Sequence, residues 1–172
     1  MKPSLKYLKG SHIQLGCGPH PLWISCQGSR TAIEAAIIQA RILTGRYRDD
    51  YLTSKFSPYK TGHCSMCGFY PGTVSHYLSG HCPLLSQQLQ LSLDYSLTLL
   101  STTPFLLPPV LSALQYDVED WASFILDPGS NHMVIKIKQS YGHEAVWPLY
   151  RLSRAYIRCM HRERMKFMDS IL

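Results

Sequence analysis

Residues 63–83 read HCSMCGFYPGTVSHYLSGHCP, and this stretch decides the fold of the chain. Cys64 and Cys67 are separated by two residues, and His76 follows nine positions after the second cysteine. Two thiolates at this spacing can both point inward from one tight turn, and Gly68 gives that turn the backbone freedom it needs. Tetrahedral zinc requires such a pair followed by a second pair from a short element, so the stretch predicts a zinc site.

The second pair of ligands consists of His76 and one of two neighbours, His81 or Cys82. Thr73 or Ser75 can cap a helical turn that carries His76, and both spacings to the fourth position fall within the range of zinc-finger sites. A site with four protein ligands is closed, so its metal stabilises the fold and performs no chemistry. The alternative interpretation makes the two neighbouring cysteines buried free thiols and the histidine a surface imidazole.

Length and composition indicate a single globular domain. The sequence has 172 residues, of which 45% are hydrophobic, which is enough for a core. Six unevenly spaced cysteines, two of them among histidines, favour an intracellular, nuclear or cytoplasmic, location over secretion. Residues 1–10 contain lysine and glycine where a secretory signal requires an apolar run, and the most apolar stretch, residues 105–114, contains two prolines. We therefore expect neither a secretory signal nor a membrane span.

The basic residues are concentrated at the two ends of the chain, which has a net charge of +6. Residues 1–60 hold nine Lys or Arg against three acids, and residues 136–172 hold eight against three. Residues 61–135 contain no Lys or Arg. Basic surfaces attract polyanions, so this pattern predicts nucleic acid as the partner. The alternative interpretation is ordinary solubilising surface charge.

The N-terminal part predicts an irregular arm followed by a helix. Residues 1–30 contain too many Pro and Gly for long regular structure. Residues 31–34, TAIE, form a capping box, in which the Thr hydroxyl and the Glu carboxylate satisfy each other's unpaired amides. Ile33 and Ile37 then recur at helical spacing in a helix that buries most of its circumference, and Gly45 ends it.

Residues 47–50, YRDD, match the Tyr-x-Asp-Asp metal-binding signature of reverse transcriptases. That chemistry needs paired carboxylates at the tip of a hairpin of apolar strands, where two magnesium ions are held against a triphosphate. The flanking residues here are polar or charged, so the apolar strands are missing. We therefore predict that Asp49 and Asp50 are solvated residues that start a short turn.

Two further helices are predicted beyond the Cys/His stretch. Residues 83–101 are rich in leucine and fit either a helical face or the alternation of a strand. Length and the scarcity of β-branched residues favour a helix with Leu85, Leu89 and Leu93 on one face. Asp117 is then predicted to cap a short amphipathic helix that ends at an Asp-Pro-Gly sequence.

The C-terminal segment predicts a long basic helix. Pro148 fits its first turn, and Leu152 and Tyr156 belong to its inward face. Four arginines repeat at spacings of three and four residues on another face: Arg151, Arg154, Arg158 and Arg162. A row of guanidinium groups on a rigid helix is suited to bind successive phosphates. The alternative is a solvated basic face supported by Glu163 and Asp169.

Several short runs carry a family resemblance. They are residues 38–48 (IQARILTGRYR), the C-x2-C pair, residues 72–76 (GTVSH) and residues 80–83 (GHCP). Together they resemble the region downstream of the polymerase domain in LINE-type (non-LTR) retrotransposon reverse transcriptases. The closing runs LYRLSRA and MHRER also resemble the ends of such polyproteins, so the resemblance covers nearly the whole chain.

The resemblance implies a helical zinc-binding region that helps to hold template RNA or target DNA near the polymerase. It makes Cys64, Cys67 and His76 the first three ligands. The usual family spacing places the fourth ligand at His81, whereas the family's Cys-Pro pair places it at Cys82. We favour Cys82 for its softer thiolate and for the matching proline.

These observations predict a mainly α fold, a small helical domain organised around one zinc-knuckle-like loop. Residues 1–30 are the irregular arm, residues 31–101 hold a helix, the zinc loop and the Leu-rich helix, and residues 102–172 form a C-terminal helical segment packed on them. The resembled family's polymerase and endonuclease domains are absent from these residues, so the expected function is non-catalytic nucleic-acid binding, with zinc as cofactor and an upstream polymerase domain as a further partner. The competing interpretation is a protein-interaction module or an inactive remnant of a retroelement.

Overall fold

The fold consists of α-helices joined by loops. The computed structural model describes residues 21–115 and 118–170, and these residues contain no β-strand. The helices are α1 (Pro21–Ile24), α2 (Arg30–Leu43), α3 (Asp50–Ser54), α4 (Val74–Leu78), α5 (Pro83–Leu100), α6 (Leu107–Gln115), α7 (Val118–Leu126), α8 (His132–Tyr141) and α9 (Trp147–Ser170). The mainly α prediction, including the long C-terminal helix, is confirmed.

Helix α9 lies at the centre of the packing. It contacts α5 and α2 most extensively, and it also packs against α7. Leu149, Ile157 and Met160 of α9 are completely buried in the core. Because each such side chain contributes about 1.5–3 kcal/mol on burial, α9 provides much of the stability that connects the C-terminal segment to the preceding helices.

The Leu-rich segment is helical, as its length and composition predicted. Leu85, Leu89 and Leu93 of α5 are at most 6% exposed, whereas Leu91 and Leu99 are each 56% exposed. In a strand, residues two apart share a face. The opposite burial of Leu89 and Leu91 therefore shows the helical periodicity directly.

Helix α2 begins earlier than predicted. Its N-cap is Ser29, whose hydroxyl accepts a hydrogen bond from the amide of Ala32 at 3.4 Å. Glu34 pairs with Arg30 at 3.1 Å and closes no capping box. The predicted capping box at residues 31–34 is therefore wrong, because the helix starts earlier, at Arg30, and Ser29 caps it through the amide of Ala32.

The buried face of α2 also differs from the predicted one. Ile33 and Ile37 are each 39% exposed. The residues that α2 buries are Ala35, Ala36, Ile38, Gln39, Ile42 and Leu43. The buried face of α2 includes a polar side chain. The Gln39 amide donates to the carbonyl of Leu126 at 2.6 Å and to the hydroxyl of Ser153 at 2.8 Å. A buried carbonyl at the end of α7 needs such a donor, and apolar spacing alone does not reveal this requirement.

Three further outcomes concern the ends and connections of the helices. Helix α7 ends at Leu126, as predicted, whereas α8 was not predicted although Asn131 caps it through the amides of Met133 and Val134. The predicted cap Asp117 and residues 1–20 of the predicted arm lie outside the described residues.

Within the described part of the chain, no helix is both long enough and apolar enough to cross a bilayer.

Candidate metal centre

The two thiols of the C-x2-C pair lie on a tight turn between α3 and α4. The amide of Gly68 donates to the carbonyl of Cys64 at 2.8 Å, and the amide of Cys64 donates to the carbonyl of Phe69 at 2.7 Å. Gly68 has a φ of +76°, a left-handed conformation that favours glycine. The turn therefore needs this glycine to direct both sulfurs to one side, as predicted.

The other two members of the cluster are supplied by helix α4 and by the start of helix α5. Thr73 caps α4 by accepting from the amide of His76 at 3.4 Å, which decides between the two predicted caps. His76 then lies in the last turn of α4. Cys82 is the N-cap residue of α5, and Pro83 occupies the first turn of that helix. Local helix signals thus position both residues.

The four side chains meet at one point. The ligand atoms of Cys64, Cys67, His76 and Cys82 all lie within 4.8 Å of one another. The sulfurs of Cys64 and Cys82 are 4.0 Å apart, and the sulfur of Cys67 is 3.2 Å from Nε2 of His76. Zinc bond lengths and tetrahedral angles require about 3.8 Å between sulfurs and about 3.6 Å between sulfur and nitrogen. The donor set and its dimensions therefore fit a tetrahedral metal ion.

The fourth member of the Cys/His cluster is Cys82 and not His81. Cys82 is completely buried and belongs to the cluster, whereas His81 is exposed and is not one of its four members. His76 is only 6% exposed, so it is not the surface imidazole of the alternative interpretation. Its ring stacks on Phe69 at 4.6 Å between centroids, and its second nitrogen, Nδ1, is buried and has no hydrogen-bond partner among the described residues.

Burial sets the protonation of the metal-free cluster. It lowers the pKa of His76, with a smaller contribution from His81, so the imidazole is neutral and its nitrogen lone pair is available. Burial raises the pKa of Cys64, and burial together with the neighbouring Cys64 raises the pKa of Cys82 to about 12. A metal ion must displace these thiol protons when it binds, which is the ordinary chemistry of thiolate sites.

Asp49 supports the cluster from outside, and it is not the solvated residue that was predicted. It is 9% exposed, and its carboxylate accepts from the amides of Leu52, at 2.6 Å, and Val74, at 3.1 Å. These amides belong to the first turns of α3 and α4, so one carboxylate caps both helices. The prediction that a short turn starts here is confirmed, and the predicted solvation of Asp49 is wrong.

Asp50 connects the loop that carries Cys64 and Cys67, residues 63–73 and called here the metal loop, with α4 and α9. Its Oδ2 accepts from the amide and hydroxyl of Ser65 at 2.7 and 2.9 Å and from the hydroxyl of Tyr77 at 2.8 Å, while Oδ1 pairs with Arg164 at 3.0 Å. Burial alone raises the pKa of Asp50, but the bonds from Ser65 and Tyr77 and the Arg164 charge bring it below its ordinary value. Sequence reasoning missed this contact because its partners lie far apart along the chain.

The predicted arginine row divides between two environments. Arg151, Arg158 and Arg162 are exposed, whereas Arg154 is only 4% exposed. Its guanidinium donates to the hydroxyl of Ser25 at 2.6 Å and to the carbonyl of the same residue at 3.1 Å. The prediction that Arg154 offers a phosphate contact is corrected by this burial, since the side chain packs between α9 and the end of α1.

Comparison of the chain with protein-family models, curated proteins and solved structures found no match. The resemblance to LINE-type reverse transcriptases thus stays a prediction, and the proposed function is argued below from the geometry of the described residues.

Proposed function

We propose that this chain is a non-catalytic, zinc-stabilised nucleic-acid-binding domain, equivalent to the C-terminal zinc-binding region of LINE-type reverse transcriptases. The observation that carries the binding proposal is the exposed row of Arg151, Arg158 and Arg162 on α9. At 100° per residue these three positions fall within a sector of about 40°. The rise of the helix separates them by roughly 10 Å and 6 Å along its axis, a spacing suited to successive phosphates.

Two of these arginines are available for a polyanion. Among the described residues, Arg151 and Arg158 form no ion pair. Arg162 pairs with Glu163 at 3.0 Å, and Lys166 pairs with the same carboxylate at 3.0 Å. Arg151 and Arg158 are therefore the stronger candidates for phosphate contacts, and Arg162 contributes a partly neutralised charge.

We propose zinc as the metal because the donor set consists of three thiols and one imidazole. Soft thiolates in a tetrahedral arrangement select zinc over magnesium or calcium, which prefer oxygen ligands. When all four positions are protein side chains, the ion contributes folding energy. The four side chains would hold the ion between the turn before α4, α4 itself and the start of α5.

The arrangement of Asp49 and Asp50 supports a non-catalytic role. All four carboxylate oxygens accept hydrogen bonds from the protein. A polymerase requires the same oxygens to hold magnesium ions against a triphosphate. We therefore expect no primer extension with magnesium, and extension that is lost in Asp49→Asn would contradict this part of the proposal.

The binding proposal is tested by the salt dependence of affinity for labelled RNA and DNA. Removing two phosphate contacts reduces the slope of log affinity against log salt by about 1.8 for duplex DNA and about 1.4 for a single strand. We expect this reduction for Arg151→Ala/Arg158→Ala in fluorescence anisotropy titrations between 50 and 300 mM salt.

The control variant removes the same charge elsewhere. The control is Arg30→Ala/Lys136→Ala. The Arg30 side chain is 92% exposed at the start of α2, and Lys136 is exposed on α8. An unchanged slope in the control and a reduced slope in the α9 variant support the proposal. Equal slopes in both variants and the wild type, or no binding at low salt, would overturn it.

A protein-interaction module is the second candidate function. The outer face of α5 favours it, because Leu84, Leu91, Tyr95 and Leu99 are 53%, 56%, 67% and 56% exposed. These four residues lie within a sector of about 80° on the helix. Absence of nucleic-acid binding at low salt would favour this second function over the first.

A further inference from the structure

We propose that exposed aromatic side chains beside the metal loop form a stacking surface for single-stranded nucleic acid. This inference rests on the proposed function, and it adds the strand form that is bound and a second set of contacts. The surface, called here the aromatic surface, consists of Tyr51, Lys55, Phe56, Tyr59, Lys60 and Tyr70.

The exposure of its rings is the first observation. Phe56 is 83% exposed and Tyr59 is 92% exposed, in the turns that follow α3. Tyr70, across the loop, is 52% exposed. Aromatic rings of this size normally contribute to a core, so several exposed rings in one short loop mark a contact surface.

The loop holds two of the rings, Tyr51 and Tyr70, and a cation together. The ammonium group of Lys55 lies 4.5 Å from the centroid of the Tyr51 ring, and Tyr51 meets Tyr70 edge to face at 6.0 Å. Two backbone hydrogen bonds to Gly72 fix the segments that carry them: its amide donates to Gly62 at 2.9 Å, and its carbonyl accepts from Tyr51 at 3.1 Å. The Tyr51 and Tyr70 rings therefore have defined positions, and Phe56 and Tyr59 lie in the turns that connect the two segments.

The charge of the surface favours a polyanion. Lys55 and Lys60 are exposed on either side of the two most exposed rings. Residues 51–93 contain no Asp or Glu, and the two preceding acids, Asp49 and Asp50, already accept hydrogen bonds from the protein. Alternating aromatic and basic side chains are the pattern that binds single strands, because each base stacks on a ring and each phosphate meets a cation.

The aromatic surface adjoins the metal loop, which contacts the C-terminal turns of α9. The hydroxyl of Ser65 lies 3.4 Å from the sulfur of Met168, and Asp50, directly before Tyr51, pairs with Arg164. Arg162 lies in the same half of α9. A duplex keeps its bases stacked on each other, so only an unpaired strand can use the rings.

The experiment measures the affinity of the zinc-loaded full chain for a labelled 20-nucleotide oligo(dT) and for a 20-base-pair duplex. The variant is Phe56→Ala/Tyr59→Ala, which removes no charge and two rings that are 83% and 92% exposed. We expect its affinity for oligo(dT) to fall by about fivefold or more, with little change in the salt slope and in duplex affinity. The matched control is Tyr95→Ala, which removes a 67% exposed ring from α5; it should change neither affinity.

A second variant separates stacking from hydrophobic contact. Phe56→Trp retains a ring and should retain oligo(dT) affinity, whereas Phe56→Leu retains only apolar area and should lose it. The stacking proposal is overturned if Phe56→Ala/Tyr59→Ala binds oligo(dT) like the wild type. It is also overturned if Phe56→Leu binds oligo(dT) like the wild type, and this result favours a protein partner for the rings.

The two proposals fail in different ways. If the α9 variant Arg151→Ala/Arg158→Ala loses binding and the aromatic variant does not, only the stacking surface is wrong. If the aromatic variant loses oligo(dT) binding and the α9 variant does not, the stacking surface is supported and the arginine row is wrong. A wild-type chain that binds neither probe overturns both.

Discussion

Single residues at the start of α5 distinguish between two ligand sets for the metal. Cys82 is completely buried within the cluster, and its neighbour His81 is exposed. Cys82→Ser should therefore abolish stoichiometric zinc binding, whereas His81→Ala should retain one zinc per chain. Metal analysis of the purified proteins by atomic emission checks this. Zinc retained in Cys82→Ser and lost in His81→Ala would reverse the assignment, and Cys64→Ser provides the reference for a lost ligand.

Gly72 permits a close approach between two parts of the metal loop. A Cβ atom at this position would lie 2.6 Å from the amide nitrogen and 2.8 Å from the Cα of Cys64. We expect Gly72→Ala to displace the backbone of that cysteine, to lower the free energy of unfolding by about 1–3 kcal/mol and to weaken zinc binding. Urea unfolding and competition for zinc with a chromogenic chelator provide the two measurements.

Gly28→Ala is the control for this substitution. An added Cβ at Gly28 meets nothing within 4 Å, but its φ of +75° makes alanine unfavourable there. This variant should lose stability by about 1–2 kcal/mol and keep its zinc affinity. Equal zinc affinities in both variants would show that the contact at Gly72 does not position the thiol.

At the scale of elements, one buried ion pair connects α3 with α9. The side chains of Arg164 and Asp50 are 9% and 14% exposed, and the guanidinium also lies 5.4 Å from the Tyr77 ring centroid. Asp50→Asn leaves this buried cation without its charged partner, so we expect a loss of about 3 kcal/mol at neutral pH. Denaturant unfolding of the two proteins measures the difference.

The same pair predicts a pH dependence. Because the pKa of Asp50 is lower in the folded chain than in the unfolded one, its contribution is complete above the unfolded pKa of about 4 and is lost as the pH falls through the folded value. The stability difference between wild type and Asp50→Asn should therefore be constant from pH 7 to about pH 5 and shrink below pH 4. Both proteins carry the same metal ligands, so metal loss in acid affects both. A difference that grows on acidification would contradict this sign.

Two arginines of helix α9 lie in different environments. Arg154 is buried against Ser25, whereas Arg151 lies on the exposed row. Arg154→Ala should lower the free energy of unfolding by about 2 kcal/mol, since it removes charged hydrogen bonds, and should leave the salt slope of nucleic-acid binding unchanged. Arg151→Ala should leave the free energy of unfolding unchanged and should reduce the salt slope of nucleic-acid binding. Chemical unfolding together with the salt titration tests both, and a reduced slope in Arg154→Ala would place that residue among the phosphate contacts.

For the whole molecule, metal removal should cost stability. The cluster connects the loop before α4, α4 and α5, and α5 packs on α9. A metal ion whose free concentration is 1,000 times its dissociation constant stabilises the folded chain by about 4 kcal/mol. For a chain of this size a chelator should then lower the melting temperature by about 10 °C. Calorimetry with and without added zinc checks this, and Cys82→Ser should respond to neither zinc nor chelator.

The clustering of Cys64, Cys67, His76 and Cys82 could be predicted because these residues lie within 19 consecutive residues. Their spacing, the Thr73 cap and the Cys-Pro start of α5 are local signals, and local backbone geometry is sufficient to bring the side chains together. The helical state of the Leu-rich segment was likewise predictable from length and residue type. These features need no knowledge of the rest of the chain.

Tertiary structure alone decided which faces and charges are buried. Ile37 and Ala36 satisfy helical spacing equally, and the choice between them depends on where α7 and α9 lie. Arg151 and Arg154 are likewise equivalent members of a periodic row in the sequence. Only the folded chain places Ser25, at the end of α1, against Arg154. Asp50 and Arg164 are 114 positions apart, so no local pattern reports their contact. The Cys/His cluster and the helical class therefore follow from the sequence, because both depend on residues that are near each other along the chain. The packing of distant helices determined which charged side chains are buried and which surfaces are exposed.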